Sequence, residues 1–244
     1  MNQQILTVRS NRALTDAVYE MKLGGDMSAF SAPGQFVNIR LEGFYLRRPI
    51  SVCDLRGDEL TILYKVVGHG TEAMSRLGVG ARLDTLCGLG NGYDLSKSGG
   101  NPVLIGGGVG IPPLYLLARK LLERGAAPAA VLGFNRADEI FYEDEFKSLG
   151  IPVTVATADG SRGVRGFVTD ALPDRYSYFY TCGPEPMLKA VYRATVTSGQ
   201  FSFEARMGCG FGACMGCSCK TVTGFKRICR EGPVLEKEEI LWES

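Results

Sequence analysis

Apolar and polar positions alternate with a period of two through much of the first hundred residues. Leu60, Ile62, Tyr64 and Val66 share one parity, with Thr61, Leu63 and Lys65 between them. Val37, Ile39 and Leu41 do the same around Asn38 and Arg40, and residues 18–23 form a further short run. Alternation of this kind puts one set of side chains on each face of a strand, so the runs predict half-buried strands. Turn formers punctuate them: Gly24-Gly25-Asp26, Pro33-Gly34, Arg56-Gly57-Asp58 and Gly78-Val79-Gly80. Short strands at this pitch predict a sandwich or barrel. A short helix at 71–77 is the one interruption.

The texture changes at Ser98-Gly99-Gly100-Asn101-Pro102, a cluster of breakers that marks a boundary. Beyond it the pattern predicts a strand at 102–105, a glycine turn at 106–110 and a helix at 112–124, whose prolines sit where a helix start needs no N–H. Strands follow at 129–133, 153–157 and 178–182, with helices at 143–149 and 186–196 and a helical turn at 168–172. Strands alternating with helices predict a parallel sheet covered on both faces. The chain turns rich in Cys and Gly at Phe203. It therefore reads as α+β and multi-domain: an antiparallel β unit at 1–98, an α/β parallel-sheet domain at 99–202, and a small C-terminal segment at 203–244. No internal repeat or low-complexity linker is present.

Composition narrows the function classes. A formal net charge of +1 over 244 residues offers no broad field for nucleic acid or anionic lipid. The longest apolar run, 103–117, is broken by four Gly and two Pro and is too short to span a bilayer. The N-terminus lacks the basic-then-apolar layout of a signal peptide. These features lead to the expectation of a cytoplasmic chain with reduced thiols.

The strongest chemical signal is a group of four cysteines, Cys209, Cys214, Cys217 and Cys229, spaced C-x4-C-x2-C-x11-C in a glycine-rich stretch. The first three match the loop spacing of plant-type [2Fe–2S] ferredoxins, whose fourth ligand comes later. Thiolates also select zinc. Structural zinc sites, however, usually come as two separated Cys pairs, whereas here the spacings overlap in one loop. Small residues between the cysteines suit a backbone wrapped closely around a cluster, with amides facing sulfur. Cys219 is a fifth thiol, read as a bystander because Cys229 supplies the more separated fourth ligand.

Gly106, Gly107, Gly108 and Gly110 lie between a strand and a helix, the arrangement that presents amides to a phosphate. The pattern is G-G-G-x-G, not the dehydrogenase G-x-G-x-x-G, and by itself a tight turn with no ligand remains open. Two more loops follow strand ends: 157–163, which carries Asp159, and Cys182-Gly183-Pro184. Open parallel sheets bind ligands at strand C-termini, so the three loops are expected to line one crevice. Cys182 reads equally well as a buried filler or as a residue beside a nicotinamide.

Several segments in this order resemble one family: Leu46-Arg47-Arg48-Pro49-Ile50-Ser51, Gly68-His69-Gly70-Thr71, the turn at 106–113, Cys182-Gly183-Pro184-Glu185-Pro186-Met187 and the terminal cysteines. Over essentially its whole length the chain resembles the ferredoxin–NADP reductase superfamily. Within it, the chain is most similar to the electron-transfer subunits of class 1B dihydroorotate dehydrogenases. The resemblance implies an FAD-binding β-barrel, an NAD-binding domain and a [2Fe–2S] segment. It implies that Arg48, Pro49, Ile50 and Ser51 form the flavin box, with Arg48 pairing with the pyrophosphate and Ser51 near the isoalloxazine. Ile50 stands where many relatives have Tyr. By the same resemblance Lys65, Val66 and Val67 lie along the flavin, Gly70 and Thr71 offer groups to the pyrophosphate, and Gly107, Gly108, Gly110, Asp159, Cys182, Gly183 and Pro184 serve the nucleotide. Without it, Arg47-Arg48 would read as a solvated pair on a strand edge. His69, the only histidine, is read as a loop residue beside the phosphates.

The implied activity passes electrons from a partner's FMN through the [2Fe–2S] cluster and FAD to NAD+. The partner is a dihydroorotate dehydrogenase catalytic subunit, in a heterotetramer with two copies of each. Hydride exchange between nicotinamide and flavin needs orientation more than a protein base, so no catalytic acid or base is assigned. Arg136 could meet a 2′-phosphate, but Glu139, Glu143, Asp144 and Glu145 follow it closely, which supports NAD over NADP. Two other readings stand beside this one. One is the flavin and iron–sulfur subunit of an NADH-dependent ferredoxin:NADP oxidoreductase or sulfide dehydrogenase. The other is a zinc-stabilised nucleotide-binding regulatory module.

Overall fold

The structure is a computed structural model that describes residues 2–242. Met1, Glu243 and Ser244, which the expected segments 1–98 and 203–244 include, lie outside the described residues.

The alternating runs close into a barrel. Its strands are β1 (Asn2–Ala13), β2 (Val18–Gly24), β3 (Phe36–Ile39), β4 (Arg48–Arg56), β5 (Glu59–Lys65) and β6 (Arg82–Leu89). They are ordered β1-β2-β5-β4-β3-β6, and β6 pairs antiparallel with β1 to close the ring. Leu6, Val8, Met21, Leu23, Val37 and Ile39 fill the interior. The pattern located β2, β3 and β5 but not β1, β4 or β6. β1 has a solvated outer face of Gln, Thr, Arg and Asn and buries little besides Leu6 and Val8. Barrel closure, not local periodicity, makes it a strand. A short helix α1 (His69–Ser75) follows β5.

The second unit contains β7 (Val103–Gly107), α2 (Pro112–Glu123), β8 (Ala129–Phe134), α3 (Glu143–Ser148), β9 (Val153–Thr157), β10 (Val164–Arg165), β11 (Phe179–Cys182), α4 (Glu185–Ala194) and β12 (Gly199–Ser202). The C-terminal stretch adds a hairpin, β13 (Ser218–Thr221) with β14 (Gly224–Arg227), and then β15 (Val234–Glu236). The sheet order is β10-β9-β8-β7-β11-β12-β15. Its strands run parallel except β15, which pairs antiparallel with β12. The cysteine-rich stretch is thus tied at its far end into the same sheet.

Helix α2 joins the two units. Leu114, Leu117 and Leu121 belong to the same buried cluster as Val18, Cys53 and Leu63 of the barrel. A helix buried on several sides needs apolar residues nearly all round, which explains the run Pro112 to Ala118 being buried throughout. Two polar ties reinforce the junction. Arg119 of α2 pairs with the buried Asp54 of β4. The Tyr142 hydroxyl donates to Glu20 of β2 at 2.9 Å, while Arg12 pairs with that same carboxylate.

Candidate functional site

A cleft of about 730 Å³ opens at the C-terminal ends of the sheet strands, with Lys65 and Val18 of the barrel on its wall. The glycine turn after β7 forms one side. A Cβ at Gly110 would collide with the Cys182 carbonyl, and one at Gly107 with the Met187 thioether. At Gly110, where the obstacle is backbone, only glycine permits these two loops to approach each other so closely. Gly108, with φ +50, and Gly183 and Pro184 also line the cleft. Two of the three expected strand-end loops therefore converge at this wall, and the third contributes Ala158.

Asp159 does something else. Its carboxylate accepts from the Ser161 amide at 2.9 Å and the Ser161 hydroxyl at 2.6 Å, so it shapes its own loop and does not line the cleft. Cys182 is 2% exposed and packs in the core beside Tyr93, while its backbone, not its thiol, meets the glycine turn. Burial pushes that thiol up to about 12, so it is neutral at physiological pH. Arg136 lines the cleft and pairs with Asp138 at 3.1 Å. Asp138 and Glu139 are also on the lining, whereas Glu143 faces Lys147 and Arg162 instead.

Glu204 is a lining residue that sequence reasoning missed. It follows β12, so the rule that ligands meet strand C-termini would have found it had β12 been read as a strand. Its side chain is exposed, and partial desolvation by the surrounding protein raises its carboxyl.

On the barrel, the Arg48 guanidinium lies 5.0 Å over the Phe44 ring and donates to the Leu46 carbonyl. It also presses on Gly70, where any Cβ would strike it. The arrangement brings Arg48, the arginine expected to serve a flavin, against the 68–71 loop. Thr71 closes that loop on itself: its hydroxyl accepts from the Val67 amide at 2.9 Å and donates to the Gly68 carbonyl at 3.0 Å. The hydroxyl is thereby engaged within the loop. Ile50 packs partly against the barrel core, and Ser51 is half-buried. Lys65 and Val67 are exposed. His69 is 95% exposed, with Glu72 3.6 Å away, and faces solvent.

The four cysteines stand as two pairs. The amides of Ala213 and Cys214 donate to Cys209 Sγ at 3.2 and 3.5 Å, and the Cys209 amide donates to Cys214 Sγ at 3.5 Å. The Cys229 amide donates to Cys217 Sγ at 3.4 Å. Burial acts to raise the Cys209 thiol, but the amides of Cys214, Phe211 and Ala213 outweigh it and bring the thiol down to about 6. Burial, with Cys217 beside it, raises Cys229 to about 12. Among the described residues no three His, Cys, Asp or Glu side chains converge as they would on a single metal ion. Cys219 packs against the adjoining core, outside both pairs. Arg227 braces the loop: it donates to the Gly212 carbonyl at 2.7 Å and pairs with Glu231. Met215, at φ +60, is strained between the two pairs.

The loop also rests on the barrel. Asn38 of β3 donates from Nδ2 to the Cys209 carbonyl at 3.2 Å, with Gly210 pressed directly onto the amide.

Comparison with known proteins agrees with this anatomy. Residues 204–241 match the iron–sulfur cluster binding domain of dihydroorotate dehydrogenase B, and residues 104–193 match an oxidoreductase NAD-binding domain. The dihydroorotate dehydrogenase B (NAD(+)) electron transfer subunit of Fusobacterium nucleatum is 44% identical, over 93% of this chain and 94% of that protein. The chain belongs to this family. The Bacillus pumilus electron transfer subunit is 40% identical, with 98% of each chain covered. Among solved structures, an NADH-dependent reduced ferredoxin–NADP oxidoreductase studied for electron bifurcation superimposes with a TM-score of 0.89 at 31% identity. The superposition covers 98% of this chain and 90% of that one. For a member of this electron transfer subunit family, the barrel, parallel sheet and cysteine-rich segment are the expected parts. No helix among the described residues is long and apolar enough to cross a membrane.

Proposed function

We propose that this chain carries electrons from the FMN of a dihydroorotate dehydrogenase catalytic subunit, through a [2Fe–2S] cluster and FAD, to NAD+. The working assembly is two copies of each subunit, in the cytoplasm, where reduced thiols permit cluster assembly. Residues 1–98 act as the flavin unit, 99–202 as the nucleotide unit and 203–244 as the cluster segment. One observation carries the reading: the same barrel walls the nucleotide cleft through Lys65 and holds the cysteine loop through Asn38.

The residues present fit each group. Two thiol pairs with amides aimed at sulfur suit two irons, Cys209 with Cys214 and Cys217 with Cys229. Arg48 against Gly70 is a cradle for a diphosphate, and Pro49, Ile50 and Ser51 continue it along β4. Lys65 ends β5, the neighbour of β4, and Val66 and Val67 follow it. Gly107, Gly108, Gly110, Gly183 and Pro184 leave room for a second diphosphate in the cleft. When bound, the flavin couples single-electron traffic at the cluster to hydride exchange with the nicotinamide. The chain's own residues bind and orient, and the neutral Cys182 supports the cleft floor from within the core.

The purified chain, loaded with FAD and iron–sulfur, should reduce an artificial dye with NADH and leave dihydroorotate untouched. It should co-purify with an FMN protein. Absence of NADH-dependent dye reduction sinks the assignment. The TM-score of 0.89 to the ferredoxin–NADP oxidoreductase favours a second reading, a subunit of a bifurcating enzyme. The higher identity of 44% to the dihydroorotate dehydrogenase subunit supports the first. A small FMN partner decides for the first, and a large multi-cluster flavoprotein for the second.

A further inference from the structure

Asn38 stands at a polar position of the alternating pattern yet is buried. It lies on β3 between Val37 and Ile39, which fill the barrel core, and is 1% exposed. Its amide is half used. Nδ2 donates to the Cys209 carbonyl at 3.2 Å, while Oδ1 is buried with no hydrogen-bond partner. Among the described residues the only other buried side-chain nitrogen or oxygen in that condition is Thr197 Oγ1. Rotating the amide offers no relief, because it would set Oδ1 against the Cys209 carbonyl oxygen, two acceptors face to face. A Leu or Val at this position would avoid the desolvation cost of an orphaned amide oxygen.

The neighbouring strand does not supply the missing donor. Asn38 is the direct cross-strand partner of Pro49, in the middle of the flavin box. Directly opposed residues in an antiparallel pair project to the same face. Pro49 has no N–H, so it cannot satisfy a neighbour on β3. Arg47 reaches the Asn38 backbone carbonyl at 3.4 Å, but not its side chain. The next pair along, Phe36 with Ser51, continues the same face.

We propose that Asn38 joins the two redox sites: Nδ2 positions the cluster loop through Cys209, and Oδ1 accepts a hydrogen bond from a ring N–H of the bound flavin. The inference rests on the flavin reading of the barrel given above. It makes Asn38 a flavin-contacting residue that also sets the spacing between cluster loop and flavin.

The test compares FAD affinity and cluster spectra in the whole chain, for wild type, Asn38→Leu and Asn38→Asp. FAD is titrated by fluorescence quenching, iron is counted, and the cluster is examined by electron paramagnetic resonance. Asn38→Leu keeps the volume and loses both functions: FAD Kd should rise about tenfold, the loss of one buried hydrogen bond. Iron content should stay at the wild-type value, and the cluster resonance should shift. Asn38→Asp keeps an acceptor and loses the donor: FAD Kd should stay within about threefold of wild type while the cluster resonance shifts. Should Asn38→Leu fail to fold, Asn38→Ser, whose oxygen falls short of the amide's reach, carries the same expectation. Wild-type FAD affinity in Asn38→Leu, or in Asn38→Ser where it stands in, overturns the proposal, as it would leave Oδ1 serving a buried water. An Asp variant as weak as the Leu variant overturns the acceptor role. If the wild-type chain itself takes up no FAD, the flavin reading of the barrel fails instead.

Discussion

Single residues in this chain are committed by close approaches more than by charge. Gly110 is required where the two strand-end loops meet backbone to backbone, while Gly107 and Gly70 give room to the ends of the Met187 and Arg48 side chains. A position like Gly110 is legible in sequence because only one residue type meets the steric demand. Asn38 was not legible, since it draws its role from a neighbour distant in sequence, and Glu204 was missed because the four-residue β12 shows no period. Nucleotide choice is decided at this scale too. Asp138 and Glu139 stand on the cleft lining with Arg136, and carboxylates repel a 2′-phosphate. The double variant Asp138→Asn, Glu139→Gln should raise the NADPH-to-NADH ratio of kcat/KM by about tenfold, the scale of one or two relieved charge contacts. An unchanged ratio in steady-state assays would show that these acids do not select the nucleotide. Glu204 predicts a pH effect. Its raised carboxyl binds a proton more tightly folded than unfolded, so stability is full at low pH and falls as pH rises through the raised value. Glu204→Gln should flatten that part of a urea-midpoint series against pH.

At the scale of elements, helix α2 carries the connection between barrel and sheet. Leu117 is fully buried among residues of both units. Leu117→Ala should cost about 2–5 kcal/mol, read from urea unfolding. Sequence pattern found α2 and the parallel strands β7, β8, β9 and β11, because strongly apolar runs between glycine turns have few other solutions. It did not find β12 to β15. Those strands are 3 or 4 residues long, too short to show a period, and pairing with distant partners defines them. The brace over the cysteine loop is an element-scale feature of the same kind. Arg227 holds Glu231 down at about 2. A depressed carboxyl adds stability that is complete above its unfolded value of 4.5 and is lost as pH falls from there towards 2. The pair is partly exposed, so solvent screening keeps the effect small. Trp242, which packs on Phe201 and Phe203, provides a fluorescence readout at this end of the chain. Glu231→Gln should remove the acid-side slope and speed bleaching of the cluster by a chelator at neutral pH. Equal bleaching rates would show that the brace does not guard the loop.

At the scale of the whole molecule, electrons must cross from a surface loop to an interior cleft, and the barrel is the common wall. The cysteine loop presents Cys214 at the surface while Cys217 and Cys229 are buried in the core beneath it. Exposed apolar groups, Phe211 at 42% and Met215 at 53%, flank Cys214. The nucleotide cleft is reached separately, past Lys65 and the sheet ends. Entry and exit of electrons are therefore separable by mutation. Cys214→Ser removes a thiolate from the exposed pair and touches neither Arg48 nor the glycine turns. The variant should lose the iron–sulfur absorption yet keep FAD at the wild-type ratio, because the proposed flavin cradle at Arg48 and Gly70 lies on the barrel. NADH-dependent reduction of a dye that accepts from flavin should persist within about threefold. In the complex with its catalytic partner, dihydroorotate-dependent NADH formation should fall by about a hundredfold or more, since the partner's electrons would no longer have a carrier into the barrel. Loss of flavin along with the cluster would mean that loop and barrel fold as one cofactor site. Retention of full coupled activity would mean that electrons enter by a route that does not use these cysteines.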